Sequence, residues 1–119
     1  MKLISIYKQL LKETELNQRF DYIGKFNQFG LADVKLNDKF NFINREGKLL
    51  SEIWFDYIYS FDEFDFTMVK LNDKYNFINH EGKLLLNTWF DDFKEFETNK
   101  YVLINNDKTY KLLIIKKGG

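Results

Sequence analysis

The chain has no cysteine, no proline and a single histidine, His80, in 119 residues. Without cysteine it can form neither a disulfide nor a thiolate metal site, and a cysteine nucleophile is excluded. His80 as a catalytic base or metal ligand would need convergent partners that the sequence does not announce. There is no excess of charge of either sign: 18 basic residues balance 18 acidic ones. A strongly electrostatic, non-specific nucleic-acid binder is therefore disfavoured, and direct nucleic-acid binding is not expected. No apolar run approaches the ~18 residues that a membrane-spanning helix needs, so no membrane partner is expected. The first eight residues, Met1 to Lys8, lack a continuous hydrophobic region and a small-residue cleavage site. They read as structure and not as a signal peptide, and the expected compartment is the cytoplasm.

What the chain does have is aromatic side chains, 18% of the total, with 13 Phe and 7 Tyr. Each buried aromatic removes on the order of 150–250 Å² from water, so the core is well supplied. Disordered chains are poor in such residues. A chain of this length reads as one domain, 1–119.

The aromatics recur in order. Phe20-Asp21-Tyr22-Ile23 returns as Phe55-Asp56-Tyr57-Ile58 and as Phe90-Asp91-Asp92-Phe93. Leu36-Asn37-Asp38-Lys39-Phe40-Asn41-Phe42-Ile43-Asn44 returns as Leu71-Asn72-Asp73-Lys74-Tyr75-Asn76-Phe77-Ile78-Asn79, and Glu46-Gly47-Lys48 as Glu81-Gly82-Lys83. The period is 35, and 22 of 35 positions are identical between residues 20–54 and 55–89. A period of this size marks a supersecondary unit that cannot bury its apolar face alone. The expected organisation is a helix at 1–19, repeats at 20–54 and 55–89, and a degenerate third repeat at 90–119.

Within each repeat the pattern is β. Ala32, Val34 and Leu36 alternate with Asp33 and Lys35, placing apolar residues on one face. Asn37-Asp38 is a two-residue turn pair that tolerates positive φ, and Lys39 to Asn44 forms the return strand with Phe40 and Phe42 on one face. Arg45-Glu46-Gly47 is a second turn, after which Lys48-Leu49-Leu50 is expected to begin another strand. In the third copy, Asn105-Asn106-Asp107-Lys108 is expected to keep the turn with one residue gained. Leu112 to Ile115 would close the array, and Gly118-Gly119 reads as a frayed end. Ahead of the repeats, Leu3, Ile6, Tyr7, Leu10 and Leu11 make one apolar stripe, predicting a helix over 3–16. Lys2 lies early, and Glu13 and Glu15 late, opposing the helix dipole. That helix is expected to dock its stripe and cap the first repeat. The fold class is all-β: an array of antiparallel β-hairpin repeats with an N-terminal capping helix.

These blocks resemble the WG-repeat (KWG-repeat) family of bacterial and phage proteins. The similarity is carried by Phe26-Asn27-Gln28-Phe29-Gly30-Leu31-Ala32-Asp33-Val34, by Lys39 to Asn44 and Lys74 to Asn79, and by the Glu-Gly-Lys turns. The family's Trp-Gly is Phe40-Asn41 and Tyr75-Asn76 here, while Trp54 and Trp89 stand just before Phe-Asp. The resemblance implies a binding or structural module and leaves the partner open, because fold does not deliver a site.

Scaffold positions recur, so function is sought where copies differ. The second repeat carries three basic and six acidic groups, and there Gly30-Leu31-Ala32-Asp33 becomes Asp65-Phe66-Thr67-Met68. Asp62, Glu63, Asp65, Phe66 and Met68 are the expected partner surface, aromatic and Met residues with an acidic rim. The acids around Asp62, and Asp91, Asp92, Glu95 and Glu97, match no calcium loop, so no metal, cofactor or catalytic residue is expected. His80, in the position of Arg45, reads as a solvated turn residue. Carbohydrate or nucleic-acid stacking on aromatics such as Trp54 and Trp89 is the lesser alternative. The expected function is non-enzymatic binding of another protein. The narrower alternative is a phage or mobile-element inhibitor, anti-CRISPR-like, that binds the basic surface of a bacterial defence nuclease.

Overall fold

A computed structural model describes residues 2–61, 65–96, 101–106 and 108–114. One helix, α1 (Lys2–Arg19), is followed by three small antiparallel sheets of three strands each. The first holds β1 (Tyr22–Ile23), β2 (Ala32–Leu36) and β3 (Lys39–Ile43). The second holds β4 (Tyr57–Ile58), β5 (Phe66–Leu71) and β6 (Lys74–Asn79). The third holds β7 (Asp92–Phe96), β8 (Tyr101–Asn106) and β9 (Thr109–Ile114). Each sheet is a simple meander in sequence order. Contacts divide the chain into two compact units, residues 1–54 and 55–119. The division falls on the boundary between the first and second repeats.

The predicted hairpins form in the expected register. Leu36 pairs with Lys39, and Leu71 with Lys74. Asn37 and Asp38 take φ values of 52° and 62°, and Asn72 and Asp73 take 52° and 63°. Positive φ at both central residues is the mark of the type I′ turn, whose twist suits paired strands. The Asp of each Phe-Asp motif holds that turn: Asn37 N–H donates to Asp21 Oδ2 at 3.0 Å, and Asn72 N–H to Asp56 Oδ2 at 2.8 Å.

The second turn is built the same way in both copies. Asn44 Oδ1 accepts from the Glu46 and Lys48 amides at 3.0 and 2.9 Å, and Asn79 Oδ1 from those of Glu81 and Lys83, both at 2.9 Å. Gly47 and Gly82 then take φ of 80° and 85°, the left-handed region. The chain beyond does not start a strand as expected. Leu49 and Leu84 make only isolated bridges, to Ile43 and Ile78. The segment is instead fastened by a side chain, described below.

The third copy keeps the period. Asn106 pairs with Thr109, and the positive φ of 66° falls on Lys108. No residue has been gained: Lys108 lies 35 residues after Asp73, and Thr109 lies 35 after Lys74. The Asn-Asp pair at 106–107 lies one place earlier than the turn it imitates, and strand pairing, not the dipeptide, sets the register. Gly118-Gly119 lies outside the described residues.

The helix departs most from expectation. Its last turns do meet the first repeat: Leu16 is buried with Phe20, Ala32, Val34 and Ile43, and the Arg19 guanidinium donates to the Gly47 carbonyl at 3.0 Å. The predicted stripe does not dock. Leu3, Ile4, Ile6, Tyr7, Leu10 and Leu11 are exposed, from 47% at Leu11 to 81% at Leu3. Only the end of the helix, at Leu16 and Arg19, meets the first repeat.

Candidate interaction surfaces

The repeat interior is organised around a residue type that is rarely buried. Asn41 and Asn76 are both fully buried. Asn41 Nδ2 donates to the carbonyls of Ser51 and Ile53 at 2.8 and 3.3 Å, while its Oδ1 accepts from the Phe42 and Ser51 amides. Asn76 repeats this on Leu86: Nδ2 donates to the Leu86 carbonyl at 2.9 Å and Oδ1 accepts from its amide at 3.2 Å. These amides sit where the WG pattern has its glycine, a residue with no side chain to make such bonds. A buried polar group persists when its partners are complete. Both clamps also fix the segment carrying the next Trp-Phe-Asp.

The tryptophans are part of that scaffold. Trp54 packs on Phe20, ring centroids 6.2 Å apart, and against the Leu16–Val34 core of the first unit. Trp89 packs on Phe55 at 6.3 Å. Each indole thus covers the Phe that opens its own repeat. On the second sheet the next Phe docks as well: Tyr75 and Phe90 exchange backbone bonds of 2.8 and 2.9 Å, and their rings stack at 5.9 Å. The Lys74 ammonium meets the Asp91 carboxylate there.

Of the five residues expected to form a partner surface, Asp62 and Glu63 lie outside the described residues. Met68 is a correction: it is buried, packed with Phe77, Phe90 and Ile104. The centre of β5 is buried on both faces, Thr67, Met68 and Val69 alike. Phe66 is half-buried against the same cluster. Asp65 is half-buried and faces His80, its Oδ1 against the imidazole Nδ1 and accepting from the His80 amide at 3.2 Å. His80 is therefore not a purely solvated turn residue. In the first repeat the same two positions are Gly30 and Arg45, and the Arg45 guanidinium lies over the Phe26 ring at 4.9 Å. The substitutions at 65 and 80 belong together: a carboxylate appears where an imidazole can meet it.

Among the described residues, α1 carries six exposed large apolar side chains within its first eleven positions. Its stripe is flanked by Lys8 and Lys12, and the first acid in sequence is Glu13. Beside Leu11 and Leu16, a shallow hollow of about 340 Å³ is rimmed by Lys8, Lys12 and Arg19 with Glu15 and Glu46. The sequence showed the stripe, but not that it stays uncovered. A second hollow, of about 520 Å³, lies within the second unit between the segment Leu85–Thr88 and strands β8 and β9. No sequence signal marked it. Among the described residues no group of three or more His, Asp and Glu side chains converges as a metal site would require, and no helix is long and apolar enough to cross a membrane.

The architecture defines a repeat protein: three copies of one β-meander, with turns that recur at a fixed spacing and an asparagine clamp in the first two. Residues 19–40 and 42–75 match the family model described as WG containing repeat, and over residues 19–75 the chain belongs to the WG-repeat family. No curated protein and no solved structure gives a match.

Proposed function

We propose that this chain is a non-enzymatic protein-binding module that engages its partner through the apolar stripe of α1. One observation carries the reading. The repeats bury most of their large apolar residues, with exceptions such as Tyr22, Tyr57 and Tyr110, whereas six such residues on the first eleven positions stand exposed along one helix. Contiguous exposed apolar surface of this kind marks interaction sites in soluble proteins. An amphipathic helix commonly binds by laying such a face into a groove. The stripe offers on the order of 700 Å², close to the ~800 Å² per partner of a standard interface. The lysines beside it favour a partner whose apolar groove has an acidic rim. The residues that might have supported chemistry have structural work: Asp21 and Asp56 hold turns, Asp91 pairs with Lys74, and Asp65 with His80.

The test compares two variants with the parent chain. Tyr7→Ser with Leu10→Ser should keep the melting temperature and abolish capture of a partner that the parent chain binds as a purified protein. Asp65→Lys with Phe66→Ala should leave that capture intact. Equal binding by the helix variant overturns the assignment to α1. So does a clear drop in its melting temperature, which would mean the chain itself covers the stripe.

A further inference from the structure

The exposed stripe of α1 and the contact that anchors the helix lie on opposite sides of it. Tyr7 in the stripe and Leu16 in the first core are nine residues apart, about two and a half turns at 3.6 residues per turn. With Leu16 seated, Tyr7 points away from the repeat. A third row runs between these two sides. Lys8, Lys12, Glu15 and Arg19 follow one another at spacings of four, three and four, so they share a face. They line the hollow of about 340 Å³ in the first unit, together with Leu11 of the stripe, Leu16 of the core and Glu46 of the second turn.

This border of the stripe is cationic and partly prearranged. Three cations line the hollow against two carboxylates. Among the described residues Lys8 and Lys12 make no ion pair. Arg19 is already held: its guanidinium donates to the Gly47 carbonyl at 3.0 Å and lies over the Phe20 ring, 4.8 Å from the centroid. A guanidinium carries five N–H donors, so one bond to a carbonyl leaves others for a carboxylate. Ordering the side chain beforehand lowers the entropic cost of that contact. The opposite border is different. There the helical period places Gln9 and Glu13 beside Ile6 and Leu10, and neither is a cation.

We infer that the partner of α1 presents an amphipathic helix whose acidic residues run along one border only, the border that comes to lie over this hollow. The inference rests on the helix reading and names the chemistry of the other side. Apolar side chains of the partner cover the stripe from Leu3 to Leu11. Its carboxylates meet the Lys8 and Lys12 ammoniums, one helical turn apart, and the Arg19 guanidinium beyond them. Acids on the partner's other border would meet Gln9 and Glu13, no cation and one like charge. The bound helix therefore has a favoured orientation. Charge complementarity of this kind sets specificity and association rate more than affinity, and the apolar stripe supplies the affinity. A second copy of α1 fits less well, because it brings no acid before Glu13.

The test uses the whole chain and two synthetic helices. One repeats the heptad Leu-Glu-Gln-Leu-Leu-Gln-Gln, and its twin has lysine in place of glutamate. Each carries its charges on one border of a leucine stripe. Fluorescence anisotropy at low salt should show the glutamate peptide binding saturably, about tenfold more tightly than its twin, the scale of two or three exposed ion pairs. The difference should shrink as salt is added. Lys8→Glu with Lys12→Glu, both exposed, should reverse the preference without moving the melting temperature. Tyr7→Ser with Leu10→Ser should abolish binding of either peptide. Three results overturn the acidic-helix inference: the parent chain binds both peptides equally, it binds neither, or charge reversal leaves the preference unchanged. Equal binding of both peptides, lost in the serine variant, removes the acid and leaves the helix reading standing. Glutamate-peptide binding undiminished by the serine changes removes the helix reading as well. Self-association of the parent chain that the serine changes abolish would assign the stripe to a second copy.

Discussion

The first two repeats and the third share one meander, one turn position and one core pattern, yet they end differently. In the first two, a buried asparagine reaches across to the segment that follows and fixes it by two or three hydrogen bonds. In the third that position is Lys111, exposed. The comparison separates two jobs that the aromatic repeat runs together. The sheet itself needs only the hairpin and its alternating apolar residues. Covering its outer edge needs a clamp and something to clamp.

The strongest way to break that comparison is at the clamp. Asn41→Ala removes the partner of the Ser51 and Phe42 amides and of two carbonyls, and should cost about 2 kcal/mol by urea denaturation. Lys111→Ala at the equivalent position should stay within about 0.5 kcal/mol. Similar losses at both sites would show that the third repeat is closed in the same way. A smaller effect is expected at the second turn. Gly47→Ala places a side chain at φ 80°, with its Cβ 2.9 Å from Leu16 Cδ2, and should cost about 1–2 kcal/mol. A melting temperature equal to the parent's would mean that the helix end is not packed on this turn. The smallest effect has the opposite sign. Lys108 holds a left-handed conformation that glycine adopts freely. Lys108→Gly gives the Asp-Gly pair that type I′ turns favour and should stabilise by about 0.5 kcal/mol. Destabilisation would place the third turn elsewhere and undo its equivalence to the others.

Much of this fold could be read from residue order, because local rules and the repeat agree. Asn37-Asp38 and Asn72-Asp73 predict tight hairpins through their tolerance of positive φ, and they form them. The same rule misled at 105–108, where an Asn-Asp pair lies one residue before the turn. Only cross-strand pairing distinguishes the two registers. Asn41 was visible as a recurring residue, but its partners lie ten to twelve positions ahead and depend on a tertiary approach that no local pattern encodes. Met68 looked like surface because it differs between copies, yet variation at a core position is also what volume-conserving exchange produces. The amphipathic stripe of α1 was legible as a stripe. Whether anything covers it depends on tertiary approach, which no local pattern encodes.

The asparagine clamp has an evolutionary consequence. A residue that fastens the chain immediately downstream travels with the repeat whenever the repeat is copied. Each duplicated unit arrives with its own means of attachment and needs no matching change in its neighbour. Lengthening such a protein by one copy is then a single genetic event, and a lineage can test longer arrays without first redesigning a junction.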